Sequence, residues 1–358
     1  MIEVFVTTLV AKGGMRVLRA AIENRDLTRG DAADVVTALL GAVVSGQKQV
    51  DEHLERIEGK LDVQAKDPYH AAMISGGRLL LDASPAHRRP EDRAEMLSNA
   101  RQAFSEAIGH ARHRPLDAAR AEVMYGLTWL ALGEPKDLAR CLVQALMLLQ
   151  REVLASFQLT CQGNRDHTQR KNATSTKWRA AILGVGVDMP DWTASNQFYR
   201  AIDDYEAVRQ LHLHSSSAET FPPLRRPHGS AYDHPTPGLP VRLVTGKPVT
   251  MLGVSLELGE RGFDVDNRSG NALAVALVQP SLDAEQVLSP DVSALQRSPV
   301  QVRAGTSLHL PYPGPKQTAA CVNFGRHEQM DLTAVLHTEF DWDAKSALNR
   351  NLRFGQLS

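Results

Sequence analysis

Residues 215–240 read SSSAETFPPLRRPHGSAYDHPTPGLP, with Pro222, Pro223, Pro227, Pro235, Pro237 and Pro240 set among Ser, Gly and His. Proline fixes its own φ and withholds an amide donor, so neither a helix interior nor a central strand runs through such a stretch. The composition predicts a semi-rigid extended linker and a domain boundary. Apolar periodicity differs on its two sides, three to four residues upstream and two downstream. The expected fold class is α + β and multidomain. A helical region over residues 1–214, built as a bundle or a helical-hairpin stack, precedes the linker. An antiparallel β-sandwich with a C-terminal arm, residues 241–358, follows it.

Upstream, the first organised segment is a long amphipathic helix expected over residues 32–62. Val36, Leu40, Val43, Gln47, Val50, Leu54, Ile57 and Leu61 alternate spacings of four and three, an a/d seam broken only by Gln47, with Asp51, Glu52, Glu55, Arg56, Glu58 and Lys60 off it. Such a helix serves either as an oligomerisation coil or as one member of an intramolecular bundle, and Gly41, Gly46 and Gly59 weaken an isolated coil. Helical hairpins are expected over residues 91–158. Pro90-Glu91-Asp92 opens a helix with Leu97, Ala100, Phe104, Ala107 and Ala111 inward. Pro115 opens a second, carrying Leu116, Ala119, Val123 and Leu130 and stopped by Gly133, and Pro135 a third with Leu138, Leu142, Ala145, Leu149 and Val153. A further helix is expected over residues 198–213.

Ala100-x3-Phe104-x2-Ala107 recurs as Leu138-x3-Leu142-x2-Ala145, with Tyr125, Trp129 and Leu132-Gly133 on the intervening helix. This pattern resembles helix pairs of tetratricopeptide-type repeats over Glu91 to Leu149, although its spacing of about 38 residues exceeds that family's 34. The resemblance implies packed antiparallel helical hairpins.

Downstream, Val241–Val244, Val249–Leu258, Gly262–Asp266, Ala272–Val278, Val300–Val302, Ser307–Leu310 and Thr318–Phe324 are short apolar runs, with Leu332–Phe340 a further candidate strand. Arg268-Ser269-Gly270-Asn271 and Tyr312-Pro313-Gly314-Pro315 supply turn chemistry between them. This count and spacing predict a sandwich.

The chemistry-bearing residues are sparse. Arg165, Arg170, Lys171, Lys177 and Arg179 lie in a polar stretch beside Trp178, read as a loop. They are either a polyanion-binding patch or a solvated surface. His212-x-His214 with His228 and His234 offers imidazoles but no cysteine or acidic partner, so no metal site is expected. Asp264-x-Asp266-Asn267 begins like a calcium loop, yet Arg268 and Val275 occupy ligand positions, leaving a strand end before a turn. Asp203-Asp204 and Asp341-x-Asp343 are carboxylate pairs without a visible cleft. Gly184-x-Gly186, Gly13-Gly14 and Gly76-Gly77 lack the residues of a phosphate loop, and no catalytic residue or cofactor is expected.

Bulk charge narrows the partners. Lys and Arg total 40 against 41 Asp and Glu, so the net charge of −1 offers no field for nucleic acid. Cys141, Cys161 and Cys321 are odd in number and widely spaced, which fits a reducing, cytoplasmic setting. Val4 to Ala11 is apolar with Lys12, Arg16 and Arg19 after it, the reverse of a secretory signal. The leading expectation is a non-enzymatic interaction or scaffolding protein with a protein partner, or a homo-oligomer. One alternative is a membrane-associated or pore-forming effector that uses Ile2, Phe5, Val6, Leu9 and Val10 at a bilayer surface. Another is an enzyme with its pocket between the two domains.

Overall fold

A computed structural model describes residues 67–83, 90–177, 192–213, 215, 217–225, 238–278, 292, 294–312, 319–328 and 330–337. Helices occupy the N-terminal part of this range and sheets the remainder. The expected helix at 32–62, the N-terminal apolar segment and the arm at 341–358 lie outside the described residues. By internal contacts the chain divides into two units: Met1–Gly163 with Val185–Arg226, and Asn164–Gly184 with Pro227–Ser358.

Helix α1 spans Pro68–Asp82 and α2 spans Pro90–His110. Asp67 caps α1 by accepting the Tyr69 N–H at 3.0 Å, and Pro68 fits the first turn because its missing donor would be unpaired there anyway. Tyr69, Ala72 and Leu80 of α1 are buried, as are Leu97, Ala100, Phe104 and Ala107 of α2, the stripe that the spacing predicts. Gly76 lets the two helices meet: a Cβ there would lie 2.8 Å from the Phe104 ring.

Helix α3, Pro115–Ala131, buries Ala119, Val123, Leu127 and Leu130. It ends at Gly133, whose φ of 87° is the left-handed conformation that glycine adopts without penalty. Helix α4, Pro135–Lys177, buries Leu138, Leu142, Ala145, Leu149 and Val153. Gly126 of α3 admits it closely, since a Cβ would come 2.9 Å from the Cys141 Cβ. The extent of α4 corrects the expected loop, because the backbone stays helical to Lys177. The stretch is polar but free of proline, and Gln, Arg and Lys are good helix formers, so polarity there is no mark of a loop. Helix α5, Trp192–His212, buries Phe198, Ile202, Tyr205, Val208 and Leu211.

Part of the stretch read as linker is packed against α5. Phe221 and Leu224 are buried, the Tyr205 hydroxyl donates to the Pro222 carbonyl at 2.7 Å, and Glu206 accepts the Leu224 N–H at 2.7 Å. Two hydrogen bonds and two buried side chains anchor a segment that has no helix or strand of its own.

Among the described residues the sheets use nine strands: β1 Leu239–Arg242, β2 Val249–Met251, β3 Val254–Leu258, β4 Gly262–Asn267, β5 Leu273–Val278, β6 Val300–Val302, β7 Thr306–Pro311, β8 Ala319–His327 and β9 Met330–His337. A one-turn helix, α6, covers Ala294–Arg297. One sheet has the order β1-β9-β8-β5-β6 and the other β2-β3-β4-β7. The first is mixed, because β1 runs parallel to β9, with Val241 opposite Leu336. This departs from the purely antiparallel expectation. Pro240 is tolerated because β1 is an edge strand, where a missing donor breaks no central ladder.

The predicted run Val249–Leu258 is a hairpin and not one strand. Met251 pairs with Val254 across a two-residue turn in which Leu252 has φ 49° and Gly253 φ 79°. Buried residues alternate along β3 at Val254, Leu256 and Leu258, and β4 adds Phe263 and Val265. Leu239, Val241, Val275, Ala320, Val322, Ala334 and Leu336 fill the corresponding positions of the five-stranded sheet. Asn267 closes β4. Although fully buried, it is satisfied: its amide donates to the carbonyls of Asn271, Val302 and Arg303, and its carbonyl accepts from the Ser269 amide and hydroxyl.

Candidate functional site

Because side chains alternate along a strand, burying Leu256, Phe263 and Val265 turns their neighbours to the other face of the sheet. Three strands thereby form two rows. In one, Ser255 of β3 lies opposite Asp266 of β4, which lies opposite Ser307 of β7. In the other, Glu257 lies opposite Asp264, and Asp264 opposite His309. These side chains line one shallow depression.

Its geometry is that of a water-exposed anionic strip. Asp264 Oδ1 stands 2.6 Å from His309 Nδ1, both groups about half exposed. The imidazole lies over Gly262, where a Cβ would come 2.8 Å from the ring, so the absent side chain and the Asp264 carboxylate together fix the ring. Ser307 donates to Asp266 Oδ1 at 2.9 Å, and Arg268 Nε to Oδ2 at 2.7 Å. The arginine first, then the serine, holds the Asp266 carboxyl below its ordinary range. Glu257 has no ion-pair partner among the described residues.

Ser, His and Asp meet here without forming a nucleophile relay. The Ser307 hydroxyl is committed to Asp266 and not to His309, and an activated serine needs its imidazole within hydrogen-bond reach. No group of three metal-ligating side chains occurs among the described residues. What remains is a rigid display of carboxylates and hydroxyls on a paired backbone, suited to holding cationic or donor groups.

The chain matches no known protein family, no curated protein and no solved structure.

The residues singled out from sequence are dispersed. Arg165, Arg170, Lys171 and Lys177 fall on the C-terminal part of α4, while Arg179 lies outside the described residues. His212 is buried at the end of α5, its ring edge-on to Phe221 at 4.9 Å. His214, His228 and His234 lie outside the described residues. Asp204 is a structural carboxylate: it pairs with Arg120 of α3 at 3.2 Å, and both side chains are nearly buried. Gly76 is a helix contact. Asp264 and Asp266 are indeed on a strand, but they face solvent beside a histidine. Sequence reading missed this strip because its members come from three strands. The available signal was polar residues at alternate positions in Ser255-Leu256-Glu257, Asp264-Val265-Asp266 and Ser307-Leu308-His309.

No helix among the described residues is long and apolar enough to cross a membrane.

Proposed function

We propose that this chain is a non-enzymatic interaction protein, in which the helical region binds or oligomerises and the β-rich region presents a recognition surface. The observation that carries this reading is the open strip of Glu257, Asp264, Asp266, Ser307 and His309. Its carboxylates are displayed on a rigid sheet and are not enclosed in a pocket. Flat, charged surfaces of this kind set partner choice and association rate more than bulk affinity. The complement is a basic, extended segment of a protein partner. Alternate residues of such a segment repeat at about 6.8 Å, the spacing of Asp264 and Asp266 along β4.

The finer architecture belongs to the same reading. The two sheets pack as a β-sandwich with a parallel strand added at one edge, supported by the apolar face of β3 and β4 and by the apolar residues of β8 and β9, whose strands are buried on both faces. Between Glu91 and Leu149 the helices stack as hairpins of tetratricopeptide-like packing, supported by the close contact at Gly126.

Affinity capture from the native host with wild type and with Glu257→Lys/Asp264→Lys tests the proposal. Neither substitution touches the core, so circular dichroism should be unchanged. Proteins retained by wild type should be lost from the variant, and their retention should weaken with salt. Retention of the same proteins by both forms would refute the role of the strip.

A further inference from the structure

We infer that the basic partner segment is captured as an added strand along the free edge of β7, pairing with the backbone of Ser307 and His309. This capture rests on the strip being a recognition surface and adds how a partner is held there. The edges of the two sheets are unlike. Of the four edge strands among the described residues, β1 has four residues and carries Pro240 and Arg242, while β2 and β6 have three each. Strand β7 has six, Thr306–Pro311, with no lysine, aspartate or glutamate and its proline in last place. Shortness, proline and charge are the devices that keep an edge from pairing, and Thr306 to Leu310 has none of them.

The hydrogen-bond phase of the sheet decides which groups that edge offers. The Gly259 N–H donates to the Gly262 carbonyl at 2.9 Å, so in this register Gly262, Asp264 and Asp266 of β4 exchange backbone bonds with β3. Phe263 and Val265 therefore turn theirs toward β7. The bond from the Tyr312 N–H to the Arg261 carbonyl, 3.2 Å, fixes the same phase from the other strand. Leu310 and Leu308 answer Phe263 and Val265, which leaves the N–H and C=O of Ser307 and His309 aimed away from β4, at a side where no described strand lies.

Side chains select the occupant. Residues opposite one another share a face, so partner residues opposite Ser307 and His309 fall on the anionic side. Those opposite Leu308 and Leu310 fall on the side where Val265 and Phe263 are buried, and both leucines are only half-buried there. From an added strand, Asp264 and Asp266 are two strand spacings away, about 10 Å, within reach of a lysine or arginine stem laid across the sheet. The occupant is an extended segment that alternates basic with apolar residues. A second copy of β7 brings no cation of its own for the carboxylates.

Peptides of alternating lysine and valine test this on the full chain by fluorescence anisotropy. Methylating one alternate set of peptide amides, the lysines for an antiparallel strand, caps the edge facing β7 and should weaken binding about ten-fold or more, the cost of losing a few backbone bonds. Methylating the other set should change little. In the complex, amide exchange at Ser307 and His309 should slow, while Leu308 and Leu310, already bonded to β4, exchange as in the free chain. Equal losses from both methylations, unchanged exchange at Ser307 and His309, or no binding of the unmodified peptide at low salt would overturn the added strand. Protection of these two amides that grows with protein concentration, without peptide, would assign the edge to a second copy and overturn it as well. Glu257→Lys/Asp264→Lys separates this from the reading on which it rests. Binding lost in that variant alongside equal methylation losses keeps the strip and refutes the strand, whereas peptide binding that survives the variant refutes the strip.

Discussion

His212 shows how one residue couples burial to acidity. Its imidazole lies against Phe221 at the end of α5, and burial first, then the Arg209 cation, pulls its pKa down to about 4. His337 of β9 is likewise pulled to about 4 by burial and then by Arg242. The folded state keeps both rings neutral while the unfolded chain protonates them near pH 6.5, so the unfolded state binds more protons between these values. Stability should therefore be full above pH 6.5 and fall as the pH drops toward 4. With solvent screening allowed for, each ring contributes on the order of 1–2 kcal/mol. Urea unfolding at pH 7 and pH 5 checks this, and His212→Leu should reduce the difference, leaving the His337 share, whatever its effect at pH 7. Leu252 carries a different strain, a left-handed backbone at φ 49° that costs an ordinary residue about 1–2 kcal/mol. Leu252→Asn should raise the urea midpoint, by about 1 kcal/mol of stability, because asparagine tolerates that conformation. Neither feature was legible in the sequence. Leu252 sits within an apolar run that looks like uninterrupted strand, with only Gly253 to hint at a turn.

Among elements, the buried helix faces were the most legible feature, because one repeating spacing specifies a face without reference to any partner. Leu97, Ala100 and Phe104, or Leu138, Leu142 and Ala145, needed nothing beyond their own helix. The C-terminal part of α4 was not legible, since its polar composition serves a solvated helix and a loop equally well. The β1–β9 pairing was also hidden: Val241 and Leu336 are far apart in sequence, and strand pattern carries no address of the neighbour. Glycines in helices were readable only as breaks, yet Gly76 and Gly126 are contact points. Gly76→Val should drive a methyl group into the Phe104 ring and destabilise by about 1–3 kcal/mol, the usual cost of overpacking. A thermal melt within error of wild type would show that the ring has room to move.

At the scale of the whole molecule, the change from helical to two-residue periodicity near Pro240 was legible, because proline and the switch of period are local signals. The candidate surface was not, since Glu257, Asp264 and His309 become neighbours only when three strands pair in register. Sequence attention went instead to the basic residues 165–179, which stand out by composition. Carboxylate footprinting with a water-soluble carbodiimide reads, residue by residue, the proposed seating of a partner on the anionic strip. In the complex with a captured partner, labelling of Glu257 and Asp264 should fall several-fold, while Asp82, Glu91 and Asp92 on the helices label as in the free chain. Unchanged labelling of Glu257 and Asp264, with protection confined to the helical carboxylates, would contradict it.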